Sequence, residues 1–129
     1  MPLLTLPFAG SVPAGGELTL VSQYLSFPYT VSRLIASFAL GCDRTLQVKF
    51  FASRGPEAPA TGEPTGTDLL SIHGQVPYLV GDDERKDFPH EIQVPDRGSY
   101  LKVYGRNTDT FEHTLDAQIV IDSGPEGVD

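Results

Sequence analysis

Apolar residues alternate with polar ones most regularly between residues 29 and 53. Two runs carry an apolar residue at every second position: Leu34, Ala36, Phe38 and Leu40 in the first, and Leu46, Val48, Phe50 and Ala52 in the second. Because successive side chains of a strand point to opposite faces, each run predicts a strand with one face toward a core. Gly41 opens a four-residue turn between them, which suits glycine's backbone freedom. The stretch therefore predicts a β-hairpin at the centre of the fold.

Shorter runs on both sides of this hairpin predict further strands. Before it lie residues 3–8, where Pro7 restricts the chain to an edge strand or an extended arm, and residues 17–27. After it come short strands at 69–73, 76–80 and 91–94, and a second hairpin formed by 99–105 and 113–122. Residues 54–68, rich in Pro and Gly, and the charged residues 81–90 are predicted to be loops.

The resulting seven or eight short strands predict an all-β fold. They are separated by Gly- and Pro-containing turns, and no βαβ alternation indicates a parallel sheet. We therefore expect a single antiparallel β-sandwich of jelly-roll type. Within this one domain, residues 1–28 are predicted to be edge strands or an arm, residues 29–122 the sandwich core, and residues 123–129 a flexible acidic tail.

The charge of the 129-residue chain narrows the classes of partner. It has 17 acidic and 9 basic side chains, for a formal net charge of −8. Nucleic-acid phosphates and anionic membranes attract Lys and Arg, so this balance argues against both partners. No run approaches the ~20 apolar residues of a membrane span. Because no Lys or Arg precedes Arg33, we expect no signal peptide and a protein made in the cytoplasm.

Side chains that bind metals or catalyse reactions form no recognisable motif. The acidic loop with Asp82, Asp83 and Asp87 is the best calcium candidate, but Arg85 and Lys86 lie among its carboxylates. The three histidines are far apart, unlike a typical pair of zinc ligands. The single cysteine has no neighbouring base. We therefore predict a protein that is not an enzyme and has no cofactor, with a calcium ion at the acidic loop as the alternative.

The strand predicted at 99–105 places Tyr100, Lys102, Tyr104 and Arg106 together on one face. Aromatic and basic side chains on a flat sheet can stack on sugar rings or anchor a protein partner. The alternative is that the rest of the protein covers this face, so that the tyrosines are half-buried. The chain lacks tryptophan, which offers the largest stacking surface, and this argues against carbohydrate binding.

Charge is nearly missing from the first third of the chain. Residues 1–42 contain only Glu17 and Arg33 as charged side chains, a depletion typical of the centre of a protein–protein interface. Strands in the middle of a sandwich would show the same depletion. On the predicted hairpin, Ile35 and Phe51 fall on the outer face, where residues 1–28 or another subunit must cover them. The predicted interface residues are Leu4, Leu6, Phe8, Tyr24, Phe27, Ile35, Phe51, Tyr100 and Tyr104.

Three segments carry a resemblance to a known class of protein: VPAGGELTL at 12–20, RLIASFALGCDRTLQVKFFAS at 33–53 and SYLKVYGRNTDTFEHTLDAQIVI at 99–121. In pattern and turn placement they resemble small jelly-roll domains of phage virion proteins, such as capsid decoration (cement) proteins and tail accessories. The resemblance implies a structural protein located in a virion and bound to a capsid or other virion protein. It also implies a homo-oligomer, with a trimer favoured. Carbohydrate-binding sandwiches share the pattern, so a carbohydrate-binding module is the alternative.

Overall fold

The computed structural model describes residues 3–38, 45–55, 64, 66–69, 78–81, 84–94 and 98–122. These residues form eight strands: β1 (Leu3–Val12), β2 (Glu17–Val21), β3 (Tyr29–Phe38), β4 (Leu46–Ser53), β5 (Thr67–Asp68), β6 (Glu84–Val94), β7 (Tyr100–Asn107) and β8 (His113–Asp122). This part of the chain contains no helix of the length and hydrophobicity that crossing a membrane requires.

The strands form two four-stranded antiparallel sheets that pack face to face. Sheet 1 has the order β1-β8-β3-β6, and sheet 2 has the order β2-β7-β4-β5. The first strand thus pairs with the last, the second with the seventh, the third with the sixth and the fourth with the fifth. The chain is one long antiparallel ribbon wound into two sheets, which is the jelly-roll arrangement. The prediction of an all-β, jelly-roll-like sandwich is confirmed.

Both predicted hairpins are wrong. β3 belongs to sheet 1 and β4 to sheet 2, so the chain crosses between the sheets after residue 38. β7 and β8 are divided between the sheets in the same way. Alternation shows which face of a strand is buried, but it does not show which strand lies beside it. Two consecutive strands have the same pattern whether they pair in a hairpin or face each other across a core. The turn predicted at residues 41–44 lies outside the described residues.

The charged segment predicted as a loop forms much of β6. This strand pairs with β3 from Tyr29↔Val94 to Phe38↔Glu84, with a bulge between Val31 and Arg33. It lies at the edge of sheet 1, where charged side chains are exposed without loss and a proline is tolerated. The charged residues and the proline led to the prediction of a loop, although an edge strand such as β6 accommodates both.

The described residues 67–69 and Leu79 flank β4. Thr67 and Asp68 form β5, and beyond it the Leu69 N–H donates to the Phe50 carbonyl (2.9 Å). Leu79 makes an isolated antiparallel bridge to Val48. Most of the strands predicted at 69–73 and 76–80 lies outside the described residues.

The inner faces of the two sheets share one hydrophobic core. Its most completely buried members alternate along the central strands: Leu34, Ala36, Leu46, Val48, Phe50, Leu101, Val103, Leu115, Ala117, Ile119 and Ile121. Burying one large aliphatic or aromatic side chain contributes about 1.5–3 kcal/mol. The alternating residues that predicted the strands therefore also hold the two sheets together.

The buried amide of Asn107 ties the sheets together at one end of the sandwich. Its Nδ2 donates to the carbonyls of Val12 (3.2 Å) and Phe111 (2.7 Å), and its Oδ1 accepts from the Asp109 N–H (2.9 Å). Val12 ends β1 in sheet 1, whereas Asn107 ends β7 in sheet 2. One side chain therefore links the sheets and shapes the loop between β7 and β8.

We expect Asn107→Ala to lower the free energy of unfolding by about 1–3 kcal/mol, because buried hydrogen-bonding groups lose their partner. Urea unfolding followed by circular dichroism measures the change. Thr110→Ala, an exposed position in the same loop, serves as the control and should shift the free energy by less than about 0.5 kcal/mol. Equal effects of the two substitutions would contradict the linking role of Asn107.

Candidate functional site

One open side of the sandwich, here called the β1/β2 side, lies where edge strands β1 and β2 meet. Leu4 is 40% exposed, and Leu6, Leu18 and Leu20 are only partly buried against the core. A Cβ at Gly10 would lie 2.8 Å from Leu18 Cδ2, so the missing side chain allows the two edge strands to approach. The result is a row of half-covered leucines along the junction of the sheets.

The β1/β2 side is nearly free of charge. Glu17 is the only charged residue in its two strands, and its carboxylate accepts a hydrogen bond from the Tyr104 hydroxyl. Charged side chains commonly protect edge strands from pairing with other chains. β6, the other edge of sheet 1, carries five Asp, Glu, Lys or Arg residues, whereas β1 carries none. The two edges of one sheet are therefore built in opposite ways.

A cleft of about 300 Å³ opens on the other side of the sandwich, at the end where β4 and β6 finish. Its apolar floor includes Leu69, Ile92 and Val94, each at most 9% exposed. Its polar lining comprises Ser53, Arg54, Thr67, Gln93 and Ser99. Arg54 is the only charged residue among the described residues that line it. The volume lies at the lower end of the range for small-molecule pockets, roughly 300–1,000 Å³.

Tyr24 and Tyr100 form an aromatic pair near the same end of the sandwich. Tyr24 is 56% exposed, and its ring centroid lies 5.5 Å from that of Tyr100, with the planes tilted by 55°. The Tyr24 hydroxyl lies over Gly98, where an added Cβ would collide with it. Ser99, which precedes Tyr100 in the sequence, is hydrogen-bonded through its hydroxyl to the Tyr29 hydroxyl at 2.7 Å. The tilt between the rings of Tyr24 and Tyr100 leaves no flat surface.

The row of side chains predicted on β7 is not an exposed face. Lys102 is fully buried, and Tyr104 is 4% exposed with its hydroxyl bonded to Glu17. Tyr100 is half-buried, and only Arg106 is exposed. The rest of the protein therefore covers the middle of this face, as the alternative interpretation expected, and the flat row of accessible tyrosines that carbohydrate binding would use is not formed.

The predicted interface residues fall into three groups by exposure. Phe8, Ile35, Phe51 and Tyr104 are buried within the single chain, Leu6, Phe27 and Tyr100 are half-buried, and Leu4 and Tyr24 are exposed. No second subunit is needed to cover Ile35 and Phe51, each 4% exposed. The sequence reasoning missed Phe111, which is 71% exposed. The available signal was a single apolar side chain in an otherwise polar turn.

Of the three candidate calcium ligands, Asp87 lies among the described residues. Asp82 and Asp83 lie outside them. Asp87 is on β6 rather than in a loop, and its Oδ2 forms an ion pair with Arg33 Nη1 at 2.8 Å. Over the described ranges there is no group of three or more His, Cys, Asp or Glu residues that could hold a metal ion.

Asp109, His113 and Thr45 bring a carboxylate, an imidazole and a hydroxyl together. His113 Nε2 lies 2.8 Å from Asp109 Oδ2 and 3.3 Å from Thr45 Oγ1. A catalytic relay uses the two ring nitrogens separately, whereas here one nitrogen makes both contacts. The hydrogen bond to His113, followed by that from the Thr110 backbone N–H, holds the pKa of Asp109 below its ordinary value. The cluster thus closes the β7–β8 loop and is not arranged for catalysis.

No protein-family model matches the sequence, and no curated protein is similar to it. Among solved structures, the chain is similar to that of the infectious bursal disease virus Gt strain, with 11% identity and a TM-score of 0.45 over 98% of this chain and 33% of that chain. The VP2 subviral particle of the same virus gives 9% identity and a TM-score of 0.44 over 99% and 35%. The Yersinia pseudotuberculosis-derived mitogen gives 11% identity and a TM-score of 0.43 over 95% and 90%.

The chain spans about a third of the length of the viral chains that it matches. Likeness at these identities and TM-scores carries no argument about function. The described surfaces themselves, above all the β1/β2 side and the cleft, are the basis for a functional proposal.

We expect His113→Ala to raise the pKa of Asp109 toward its ordinary value of 3.8. Because the folded-state pKa is lowered, the contribution of the carboxylate to stability is complete above the ordinary pKa and is lost as the pH falls through the lowered value. The difference in unfolding free energy between wild type and variant should therefore shrink below about pH 4. Carboxyl-carbon NMR titration and urea unfolding at neutral and strongly acidic pH measure both effects.

Asp109→Asn is the matched control for this titration, because it keeps the side-chain shape but has no carboxyl group. In a chain that carries Asp109→Asn, the difference in unfolding free energy caused by His113→Ala should no longer change as the pH becomes acidic. A stability difference that stays constant across the whole acidic range would contradict the assignment.

Proposed function

We propose that the chain is a non-enzymatic structural protein of a virion that binds a capsid or other virion protein through its β1/β2 side. The observation that carries the proposal is the contrast between the edges of sheet 1. β6 is protected by charge, whereas the ten residues of β1 (Leu3–Val12) carry none. An edge strand has backbone N–H and C=O groups that can pair with another chain, and this one lacks the usual charged protection.

The energetics of the β1/β2 side suit a protein partner. Its half-covered leucines would contribute roughly 25 cal/mol for each Å² of apolar surface that a partner removes from water. The central part of a protein interface is depleted in charge, and so is this surface. The net charge of −8 lies elsewhere, where it keeps the unbound protein soluble.

More specifically, the proposed role is to decorate or cement a viral capsid. A protein that adds to an assembled shell stabilises that shell by mass action, because binding favours the assembled state. Jelly rolls serve in viral capsids and also in lectins, so the fold by itself supports both the virion role and the carbohydrate-binding alternative. Burial of Tyr104 and the tilt between Tyr24 and Tyr100 leave the virion role better supported.

We expect Ala9→Lys to weaken binding to virus particles at least about tenfold, because a charge buried at an interface without a partner is strongly unfavourable. Ala9 is exposed on β1, so the fold should be unchanged. The assay uses particles from cells that produce the virus encoding this chain. The native protein is removed with mild denaturant, and purified wild type or variant is added back and measured by co-sedimentation.

Arg85→Glu, an exposed position on the charged edge β6, is the control and should bind like the wild type. Mass spectrometry of the untreated particles provides the second readout. Absence of the chain from those particles, or full binding by Ala9→Lys, would overturn the proposal.

A further inference from the structure

Phe111 is the most exposed large hydrophobic side chain in the described part of the chain, at 71%. It lies at the tip of the β7–β8 loop, and its carbonyl accepts a hydrogen bond from the buried Asn107 amide (2.7 Å). The contact between Asp109 and His113 closes the loop beside it (2.8 Å). The loop is therefore ordered before any partner arrives, which lowers the entropy lost when Phe111 is buried.

The cleft offers a complementary surface for this loop. Its floor of Leu69, Ile92 and Val94 is apolar, as an aromatic side chain requires. Its volume of about 300 Å³, at the lower end of the range of roughly 300–1,000 Å³ for ligand pockets, suits a small occupant such as one large side chain. The cleft thus combines an apolar floor with a polar rim, an arrangement in which interface anchors lie.

Charge is complementary between the loop and the cleft as well. Glu112 is exposed directly after Phe111 in the sequence. The charged residue that lines the cleft, among the described residues, is Arg54. Two copies of a chain with a net charge of −8 repel each other at long range, so a contact between copies is favoured where Glu112 of one copy meets Arg54 of the other.

Phe111 cannot fill the cleft of its own chain. The two features lie at opposite ends of β7, because Tyr100 pairs with Ser53 at the cleft end and Asn107 pairs with Leu46 at the loop end. An eight-residue strand spans about 26 Å at roughly 3.3 Å per residue. A Phe111 side chain that enters the cleft must therefore come from another molecule.

We propose that Phe111 of one copy inserts into the cleft of a second copy, with Glu112 beside Arg54. The contact is head-to-tail, and such heterologous contacts close into rings when the rotation between copies permits. This inference rests on the proposed assembly role, for which a trimer is expected, and it places the subunit contact beside Arg54 and Thr67. The β1/β2 side stays free to bind the shell.

Two single variants of the full chain test the contact by sedimentation velocity. Phe111→Ser removes the inserted side chain, and Thr67→Trp fills the cleft from an exposed position in its lining. The wild type should form a closed oligomer. Each variant alone should be monomeric, with the dissociation constant raised at least about 30-fold, the loss typical of truncating an aromatic anchor.

Mixing the two variants gives the sharpest result. The intact Phe111 of the Thr67→Trp chain fits the open cleft of the Phe111→Ser chain, so we expect a 1:1 dimer and nothing larger. Leu4→Ser, which removes an exposed leucine from the β1/β2 side, is the control and should assemble like the wild type. A monomeric wild type, an unchanged oligomer in Phe111→Ser, or a mixture that stays monomeric would each overturn the inference.

Charge exchange provides a second test that does not depend on the folding of Thr67→Trp. Glu112→Arg and Arg54→Glu should each weaken the oligomer, and the double variant should restore it. Failure of the double variant to recover would contradict the proposed pairing. Particle binding separates this inference from the proposed function: if the ring contact is wrong but Ala9→Lys still loses particle binding, the virion role stands.

Discussion

The pairing of β8 between β1 and β3 is the contact on which the whole fold depends. Its register with β1 is continuous from Leu3↔Asp122 to Val12↔His113, and its inward residues are at most 1% exposed. Strands β1 and β8 lie more than 90 residues apart in the sequence, so closing the sheet requires a large loss of chain entropy. The inner faces of both sheets are sealed from water only after this closure, which makes folding cooperative and slow compared with local β-structure.

The sequence was sufficient to locate most of the long strands, but it was insufficient to show which strands pair with each other. Alternation located β3, β4, β7 and β8 to within about three residues, because both sheets present an apolar face to one core. The same alternation made Leu34 and Phe50 look like neighbours in a hairpin, although they lie in opposite sheets. Pairing in a jelly roll depends on contacts between distant strands, and a local pattern contains no record of them. Most of β6 was predicted as a loop for a related reason, because an edge strand tolerates residues such as Arg85 and Pro89 that a central strand excludes.

The candidate surfaces were predicted in part. Depletion of charge drew attention to β1 and β2, whose contact with a partner stays a prediction, and Leu4 and Tyr24 are exposed. Ile35 and Phe51 also face outward, but neighbouring side chains of the same molecule cover them, which strand spacing alone does not reveal. Phe111 was missed because a single phenylalanine in a polar turn has no periodic partner. Its significance depends on the Asn107 amide that orders the loop and on a cleft built from three distant segments.

Leu3 and Asp122 are direct partners in the β1–β8 ladder, so the ribbon of strands begins and ends at one place. A domain with adjacent ends can be inserted into a surface loop of a larger polypeptide without stretching either chain. It also tolerates circular permutation, with a short linker across the old ends and new ends at an exposed turn. Because the ends lie at the opposite end of β8 from the loop that carries Phe111, a fused domain would leave that loop accessible.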